Sequence, residues 1–326
     1  MFIDGKTIFL AGGAGLVGSG AVRALLAASA SVRLRVSYRT QCGAFIEDPR
    51  VDYLQADLTD ATDCRRMARG CDGAVMAAAF TAGAGSSQDE PWRQVTDNVV
   101  MDARMLEAFH EEGVQRVVYV STASAYQDFH GFIREDQMAW DQDPPAAYYG
   151  VGWAKRYGEK ACQFWHQSTG MQVLIARLAN VFGPFAKFDP KQSHVIAAII
   201  RKAVDRMDPF VVWGSPQVVR DVLYADDFGR AAVAMLNATD RVFDVFNIGS
   251  GRATTVGEMV NWSLRHADHQ PSRLSFGASG PTTIPFRALD CGKAKDMLEW
   301  SPSVDVEDGI RRTVAWWRAN KETWTR

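Results

Sequence analysis

The hydrophobic positions at the start of the chain form a short apolar run, a glycine-rich turn and an Ala/Leu-rich stretch of helical length. The run Thr7–Ala11 predicts a buried strand, and the stretch that ends near Ala28 predicts a helix. A second strand is expected from Val32, because apolar and basic residues alternate there with the two-residue period of a strand. The chain therefore begins as a strand–turn–helix–strand unit.

Further apolar runs follow at regular intervals through the first half of the chain. The strands predicted from them are 51–56, 74–79, 116–122 and 172–178, and long helices are predicted at 92–112 and 148–169. The run at 74–79 has almost no polar residue, as expected for a parallel strand that is buried on both faces. Strands that alternate with helices in this way predict an α/β fold with a doubly wound parallel sheet, the Rossmann fold.

The alternation weakens after residue 185. The helices predicted there are 193–207, 226–237 and 304–320, and the short strands are 210–213, 220–224 and 243–248. We interpret residues 1–180 as the Rossmann domain. Residues 181–326 are expected to form a smaller mixed C-terminal lobe, with segments that return to the first domain.

The turn after the first strand has glycines three residues apart, at Gly12, Gly15 and Gly18. In a dinucleotide-binding turn one glycine permits the sharp bend, one lets the backbone approach a pyrophosphate, and one lets the helix pack closely against the strand. The first helical residues, Leu16 and Val17, offer free N–H groups to phosphate. Because a strand precedes the turn and a helix follows it, we predict a dinucleotide site.

The end of the second strand indicates which dinucleotide to expect. An acidic residue at this point binds the ribose 2′-OH of NAD, whereas an arginine receives the 2′-phosphate of NADP. The sequence has Arg39 and no carboxylate there, so we expect NADP rather than NAD. The alternative is a solvated arginine at a strand end. Asp57 is expected to cap the next helix or to contact adenine, and the small Ala77, Ala78 and Ala79 leave room for the cofactor.

Composition argues against several other classes of protein. The 326 residues are 47% hydrophobic and 23% charged, and the net charge of −2 argues against a nucleic-acid or anionic-membrane surface. No run is long and apolar enough to span a bilayer, and the N-terminus does not read as a signal peptide. The five cysteines are odd in number and have no metal-site spacing, which favours a reducing compartment, the cytoplasm, and no metal.

Together these motifs resemble the extended short-chain dehydrogenase/reductase family, which contains nucleotide-sugar epimerases, dehydratases and reductases. The resemblance extends over essentially the whole chain. It rests on the glycine turn, Asp57 with Leu58, residues 77–79, 120–126, Lys155 with 158–159, Arg177 with Asn180 and 183–184, 220–227, 247–251, and 289–290 with 298–302. It implies a nucleotide-sugar substrate and a homodimer in which helices near residues 95–112 and 148–168 form a four-helix bundle.

The family uses a Ser or Thr, a Tyr and a Lys for catalysis. The resemblance places the hydroxyl at Thr122 and the lysine at Lys155, but Val151 stands where the tyrosine is expected. A valine cannot carry a proton. Tyr148, one turn further out if the helix is continuous, is our candidate for proton transfer; water or the substrate is the alternative. Tyr148 is otherwise an aromatic residue that packs at a helix start.

Residues 188–202 and 212–220 are similar to those of the GDP-fucose synthases, which epimerise and reduce GDP-4-keto-6-deoxymannose with NADP. The Cys and His that epimerise in those enzymes correspond to Ser124 and His194. A serine hydroxyl without a base is a poor acid/base, so double epimerisation is not expected. His194 is expected to act as a single acid/base or to bind the sugar; otherwise it is an interior polar group.

The resemblance also implies further binding residues. For the cofactor these are Leu58, Asn98, Val120, Lys155 and Asn180; for the substrate they are Thr122, Ser124, Asn180, Ser193, His194, Val195, Lys202, Arg220 and Arg287. The expected function is that of an NADP-dependent oxidoreductase or epimerase on a nucleotide-diphosphate sugar, a 4-keto-6-deoxyhexose, with hydride transfer at C4. The alternatives are an epimerase or dehydratase with no net redox change, or a catalytically silent NADP-binding protein.

Overall fold

A computed structural model describes residues 1–40, 43–81, 92–190, 192–277 and 284–324. The described strands, in chain order, are β1 (Thr7–Ala11), β2 (Arg33–Tyr38), β3 (Val51–Gln55), β4 (Gly73–Met76), β5 (Arg116–Thr122), β6 (Gly131–Ile133), β7 (Gln172–Leu178), β8 (Asn180–Phe182), β9 (Phe210–Trp213), β10 (Val219–Arg220), β11 (Val222–Tyr224), β12 (Phe243–Ile248), β13 (Thr254–Thr255), β14 (Leu274–Gly277) and β15 (Phe286–Leu289). The described helices are α1 (Leu16–Ala28), α2 (Ala61–Ala68), α3 (Arg93–Glu111), α4 (Tyr149–Thr169), α5 (Val195–Val204), α6 (Ala225–Asn237), α7 (Val256–Ala267), α8 (Gly292–Leu298) and α9 (Val306–Asn320).

The central sheet has seven strands in the order β12-β7-β5-β4-β1-β2-β3, and all its pairings are parallel. The chain moves from β1 outward to β3, then returns to the other side of β1 at β4. This reversal of strand order opens a crevice at the carboxyl ends of the strands, where ligands bind in such sheets. The predicted doubly wound fold is confirmed.

Helices cover both faces of the central sheet. On one face, Ala21 and Leu25 of α1 pack with Phe228 and Met235 of α6 in one apolar core. On the other face, α2, α3 and α4 contribute to a second core, whose members include Met67, Met105, Phe109 and Cys162. The central strands β1, β4, β5 and β7 are buried on both sides, as expected for inner strands of a parallel sheet.

The second half of the chain builds smaller sheets. Strands β13, β10, β15 and β6 form a mixed sheet, and α5, α7 and α9 share a third core in which Phe188 stacks on Trp317 with ring centroids 4.1 Å apart. Each half also lends a strand to the other, because β12 completes the central sheet and β6 joins the mixed one. The expected smaller mixed sheet is confirmed, while the division into domains at residue 180 stays a prediction.

Several predicted boundaries are wrong for identifiable reasons. The strand predicted at 220–224 is two strands, since Asp221 turns its buried carboxylate toward the backbone N–H groups of Ser250 and Leu289. Helix α5 ends at Val204, and Arg206 then adopts a left-handed φ of 53°. Strand β4 ends at Met76, three residues before the predicted end. The predicted loop at 80–90 lies largely outside the described residues.

The sequence also left some elements without a prediction. These are β6, β8, β13, β14, β15, α7 and α8. The strands among them are two to four residues long, and Leu274 of β14 is exposed, so they contain no apolar run long enough to detect. None of the helices in the described ranges is sufficiently long and apolar to traverse a membrane. Within the same ranges no cluster of His, Cys, Asp or Glu could hold a metal ion.

The contact between α1 and α6 depends on two glycines that have no room for a side chain. A Cβ added at Gly229 would lie 2.1 Å from the carbonyl oxygen of Gly20, and one added at Gly20 would lie 2.2 Å from that of Ala225. We expect Gly229→Ala to lower the free energy of unfolding by about 1–3 kcal/mol, because the helices must separate. Urea unfolding measures this. The control, Ala234→Ser on the same helix, should cost less than about 1 kcal/mol; equal effects of both variants would contradict the close-packing explanation.

Candidate active site

The glycine turn has the geometry that a dinucleotide site requires. Gly12 has a left-handed φ of 70°, and a Cβ there would lie 2.7 Å from the Cα of Ala78. A Cβ at Gly18 would lie 2.4 Å from the carbonyl oxygen of Gly12. Helix α1 starts at Leu16 with no side-chain cap at Gly15, so the N–H groups of its first turn remain available to a phosphate. The residues present therefore fit a pyrophosphate.

Arg39 and Asp57 lie close together at the edge of this crevice. The exposed guanidinium of Arg39 stacks on the ring of Phe80, with 4.1 Å from Cζ to the ring centroid. Hydrogen bonds from Thr59 lower the pKa of Asp57, and the charge of Arg39 adds to this effect. Asp57 does not cap α2: Asp60 does, accepting from the N–H of Asp63 at 2.9 Å. Asp57 is thus left exposed at the end of β3, beside a cation.

The residues expected to contact the cofactor after β4 differ in exposure, and Asn98 forms hydrogen bonds within the protein. Ala77 and Ala78 are half-buried and Ala79 is exposed, whereas Leu58 is buried. The amide of Asn98 accepts from the N–H of Phe80 at 2.8 Å and donates to its carbonyl at 3.1 Å. Asn98 therefore holds the backbone that follows β4, at the crevice, rather than offering its amide freely to a ligand.

Lys155 lies in a buried polar cluster with two residues that the sequence did not single out, Tyr119 and Asp102. Its Nζ donates to the Tyr119 hydroxyl at 3.3 Å and lies 3.8 Å from Oδ2 of Asp102. The Tyr119 hydroxyl in turn donates to Oδ2 of Asp102 at 2.5 Å. Burial raises the pKa of Asp102, and the charge of Lys155 opposes that rise. Burial also raises the pKa of Tyr119 well above its ordinary value. We call these three residues the lysine cluster.

Two sequence signals could have indicated the lysine cluster. Tyr119 places a hydroxyl among the valines of the buried strand β5, and Asp102 is an acidic residue on the buried side of α3. Gly158 makes room for the cluster, because a Cβ there would lie 1.9 Å from the Tyr119 hydroxyl oxygen. Spacing within one element does not show this, since the three residues come from α3, β5 and α4.

The turn after β5 brings several predicted residues together. Thr122 ends the strand, and its Oγ accepts from the N–H of Ser124 at 3.2 Å. The start of α4 lies against this turn: Arg156 donates to the carbonyl of Ala125 at 2.7 Å. Both Thr122 and Ser124 are half-buried. The hydroxyl expected to face the sugar is therefore adjacent to the helix that carries Val151 and Lys155.

Tyr148 is not on a continuous helix with Lys155, contrary to our expectation. It is the last residue of a short 3₁₀ turn (Ala146–Tyr148) and occupies the position just before α4, with φ −122° and ψ 12°. Its half-buried ring lies under Arg287, with 5.5 Å from the guanidinium Cζ to the ring centroid. Tyr148 therefore lies at the junction of the 3₁₀ turn and α4, with its ring against an arginine.

Two arginines on neighbouring strands form the cationic side of the site. Arg220 and Arg287 are paired in the register of β10 and β15, and they are only 8% and 7% exposed. Arg220 donates Nη1 to the carbonyls of Val219 and Ile284, each at 2.7 Å. Arg287 donates Nη2 to the carbonyl of Ala123. Neither forms an ion pair with a carboxylate of the described ranges, so both are available to an anionic ligand.

The other residues predicted to bind substrate are His194, Ser193, Val195 and Lys202. His194 precedes α5 and is open to solvent, yet protein atoms surround it closely enough that desolvation, followed by the charge of Lys187, lowers the pKa of its imidazole. Such a combination is typical of a cleft. Ser193 has a buried Oγ with no hydrogen-bond partner in the described part of the chain, and Val195 is exposed. Lys202 donates to the carbonyl of Val211 at 2.8 Å.

Two further residues were predicted for the site, Asn180 and Val120. Asn180 is exposed at the start of β8 and donates its amide to the carbonyl of Asp221 at 3.2 Å. Val120 is half-buried in β5, the strand that ends at Thr122.

Of the cysteines, Cys64, Cys71, Cys162 and Cys291 are free, and Cys42 lies outside the described residues. Burial raises the pKa of Cys64 to about 12 and that of Cys71 to about 11, which makes these thiols unreactive.

A protein with this sheet, this glycine turn and a lysine at this place is a nucleotide-cofactor enzyme of the short-chain dehydrogenase/reductase type, and comparison with known proteins agrees. The model of the NAD dependent epimerase/dehydratase family matches residues 8–249. The chain therefore belongs to the NAD-dependent epimerase/dehydratase family, and the resemblance drawn from its motifs is confirmed.

The relatives it is similar to act on nucleotide sugars, by their names. GDP-L-fucose synthase of Sinorhizobium fredii is 27% identical over 95% of each chain. GDP-mannose 3,5-epimerase 1 of Oryza sativa subsp. japonica is 27% identical over 81% of this chain and 69% of its own. The solved structure of the dTDP-glucose 4,6-dehydratase DesIV from Streptomyces venezuelae, with NAD and TYD bound, has a TM-score of 0.84 at 26% identity and covers 98% of both chains.

The lysine cluster gives a stability prediction. Asp102→Leu leaves the buried ammonium of Lys155 without its carboxylate, so we expect the free energy of unfolding to fall by about 3–5 kcal/mol. The double variant with Lys155→Met should recover most of that loss, because it removes both charges. Urea unfolding of the four proteins in the cycle measures the coupling.

A matched control lies on the same helix. Glu107 forms an exposed ion pair with Arg104 at 3.1 Å, and Glu107→Ala should cost less than about 1 kcal/mol. If the effects of Asp102→Leu and Lys155→Met simply added, the two side chains would not be an interacting pair in solution.

Proposed function

We propose that the protein is an NADP-dependent enzyme that binds a nucleotide-diphosphate sugar and catalyses hydride transfer at C4 of the sugar. The observation that carries the proposal is the pair of buried arginines, Arg220 and Arg287, which have no carboxylate partner among the described residues; Arg287 also contacts the turn that follows Thr122. A dinucleotide site alone needs only the glycine turn. Two buried cations with no carboxylate partner in the described ranges call for an anionic ligand in addition to the cofactor, and a diphosphate bound at Arg220 supplies such a charge.

The cofactor and the substrate would take different parts of the crevice. The free N–H groups at the start of α1 would hold the cofactor pyrophosphate, and Arg39 at the end of β2 would receive a 2′-phosphate. Bound there, the dinucleotide supplies a nicotinamide ring that accepts or donates hydride. Arg220 would bind the substrate diphosphate, because a guanidinium matches phosphate oxygens in a bidentate way.

The proton must be handled by this chain's own side chains. We propose that the Thr122 hydroxyl, whose oxygen already accepts from the Ser124 N–H, donates its own proton toward the sugar oxygen at C4. Tyr119 and Asp102 fix the position of Lys155, whose remaining N–H groups would bind a ribose hydroxyl. Tyr148 would carry the proton in place of the family's tyrosine, whose position Val151 occupies. Its ring packs on Arg287, which also contacts the turn after Thr122.

One alternative is favoured by specific observations. Val151 removes the usual proton carrier, and Asp102 partly neutralises Lys155 from within the core. Both fit a catalytically silent protein that binds cofactor and substrate without turnover. An epimerase or dehydratase without net redox change is the other alternative, and it differs in leaving the amount of reduced cofactor constant. The sugar expected from the GDP-fucose synthase resemblance, a 4-keto-6-deoxyhexose, stays a prediction.

The quaternary structure and location also stay predictions. Helix α4 exposes Trp153, Tyr157 and Phe164, three aromatic side chains that a four-helix bundle between two copies would cover. This supports the homodimer that the resemblance implies. The expected cytoplasmic location rests on the cysteine pattern alone.

Variants at Tyr148 test the proposed chemistry. The wild-type protein and the Tyr148→Phe variant are incubated with NADPH and a panel of 4-keto and 4-hydroxy nucleotide sugars, and mass spectrometry measures the conversion of each sugar. We expect the wild-type protein to convert a sugar of this panel. The rate of Tyr148→Phe should be lower by roughly 10²–10⁴-fold, with unchanged substrate affinity. Consumption of NADPH equal to product formed would identify a reductase. The double variant Tyr148→Phe/Val151→Tyr should regain activity, because it returns a phenol to the helix one turn from Lys155. No conversion by wild type of any sugar that it binds would favour the silent protein.

Arg39 is the test for the cofactor. We expect Arg39→Ala to weaken NADPH binding roughly tenfold or more while NADH binding changes little, since only NADPH has the 2′-phosphate. Titration of protein fluorescence with each cofactor gives the two dissociation constants. Arg33→Ala, an exposed arginine at the other end of β2, is the matched control. A wild-type protein that binds NADH more tightly than NADPH would refute this assignment.

A further inference from the structure

Arg287 uses only part of its hydrogen-bonding capacity. The side chain is 7% exposed, Nη2 donates to the Ala123 carbonyl, and the buried Nε and Nη1 have no hydrogen-bond partner among the residues that the structure describes. Burial lowers its pKa to about 10, and the neighbouring charge of Arg220 adds to the lowering. Asp128 acts on it only at long range and forms no ion pair. A buried, unpaired guanidinium is costly, so its environment is complete only when an anion is bound.

The contacts of the two arginines differ, and the difference separates their positions. Arg220 is tied to the backbone of Val219 and Ile284, within and beside its own sheet. Arg287 instead reaches the carbonyl of Ala123, the residue that follows Thr122. Since Thr122 would face the reacting carbon, Arg287 lies at the sugar end of the site, and Arg220 is left for the diphosphate.

The groups around Arg287 indicate what kind of ligand it meets. Its guanidinium lies over the rings of Phe129 and Tyr148, at 4.9 and 5.5 Å from Cζ to the centroids. These aromatic faces and the Ala123 carbonyl leave the unpartnered Nε and Nη1 as its unused donors. A neutral sugar hydroxyl would satisfy one donor but would not balance the charge, whereas a carboxylate does both.

We propose that Arg287 binds a carboxylate carried by the sugar, so that the substrate is a nucleotide-diphosphate sugar acid, a hexuronate. The inference rests on the proposed function and narrows its substrate class. It differs from the 6-deoxyhexose expected from sequence, because a methyl group at C6 offers Arg287 neither charge nor acceptor. Arg287 is then the residue that determines specificity for an acidic sugar.

The test compares ligands that differ only in the group at C6. Calorimetric titration with UDP, UDP-glucose, UDP-6-deoxyglucose and UDP-glucuronate, and with GDP, GDP-mannose, GDP-6-deoxy-D-mannose and GDP-mannuronate, covers two bases and three C6 groups. In the series whose base fits, we expect the hexuronate to bind roughly 10- to 100-fold more tightly than the hexose and the 6-deoxyhexose. This comparison uses wild-type protein and needs no variant to fold.

Variants then assign the effect to one side chain. Arg287→Met should remove the preference for the hexuronate and leave hexose affinity within about threefold, and Arg287→Lys should keep part of it because the charge stays. Arg220→Met should weaken every ligand, the nucleoside diphosphate included. The inference is wrong if a nucleoside diphosphate and its hexose bind but the hexuronate has no advantage, or if Arg287→Met weakens all ligands equally. If no nucleoside diphosphate or nucleotide sugar binds, the proposed function fails, and this inference with it.

Discussion

The buried ion pair between Glu159 and Arg177 holds α4 against the central sheet, and the position of the site depends on it. Arg177 donates Nη2 to Oε2 of Glu159 at 2.7 Å, and Ser121 donates its hydroxyl to Oε1 at 2.5 Å, so one carboxylate ties the helix to β7 and β5 together. Losing one partner would leave an uncompensated buried charge, which is strongly destabilising. Lys155 stands one turn before Glu159, so the same pair fixes the lysine relative to the end of β5.

Within this frame the usual chemistry of the family is distributed differently. Val151 provides no proton, and the lysine is held from the core side by Tyr119 and Asp102. Positive charge is instead concentrated at Arg220 and Arg287, which have low exposure and no described carboxylate partner, on the side that we propose for the substrate. The proposed site thus combines a cofactor crevice with a second region whose charge favours an anionic ligand.

The sequence predicted the long buried elements well and the short ones poorly. Strands β1, β5, β7 and β12 have the predicted bounds, because most residues in each are apolar and none is exposed, so the local pattern agrees with burial. The division near Asp221 was missed, since it comes from hydrogen bonds to residues about thirty and seventy positions away in the chain. In the same way Asp60, rather than Asp57, was found to cap α2 only once the backbone was placed.

The sequence by itself determined the cofactor crevice, the family and the absence of a tyrosine at position 151, because glycine spacing and motif order are local properties of the chain. Only the tertiary structure decided how the charges around the site are matched. Lys155 meets Asp102 through a helix more than fifty residues earlier, and Arg287 meets the Thr122 turn through a strand more than 160 residues later. Whether a buried charge is paired depends on which distant segments the fold brings beside it, and no periodicity in the sequence encodes that.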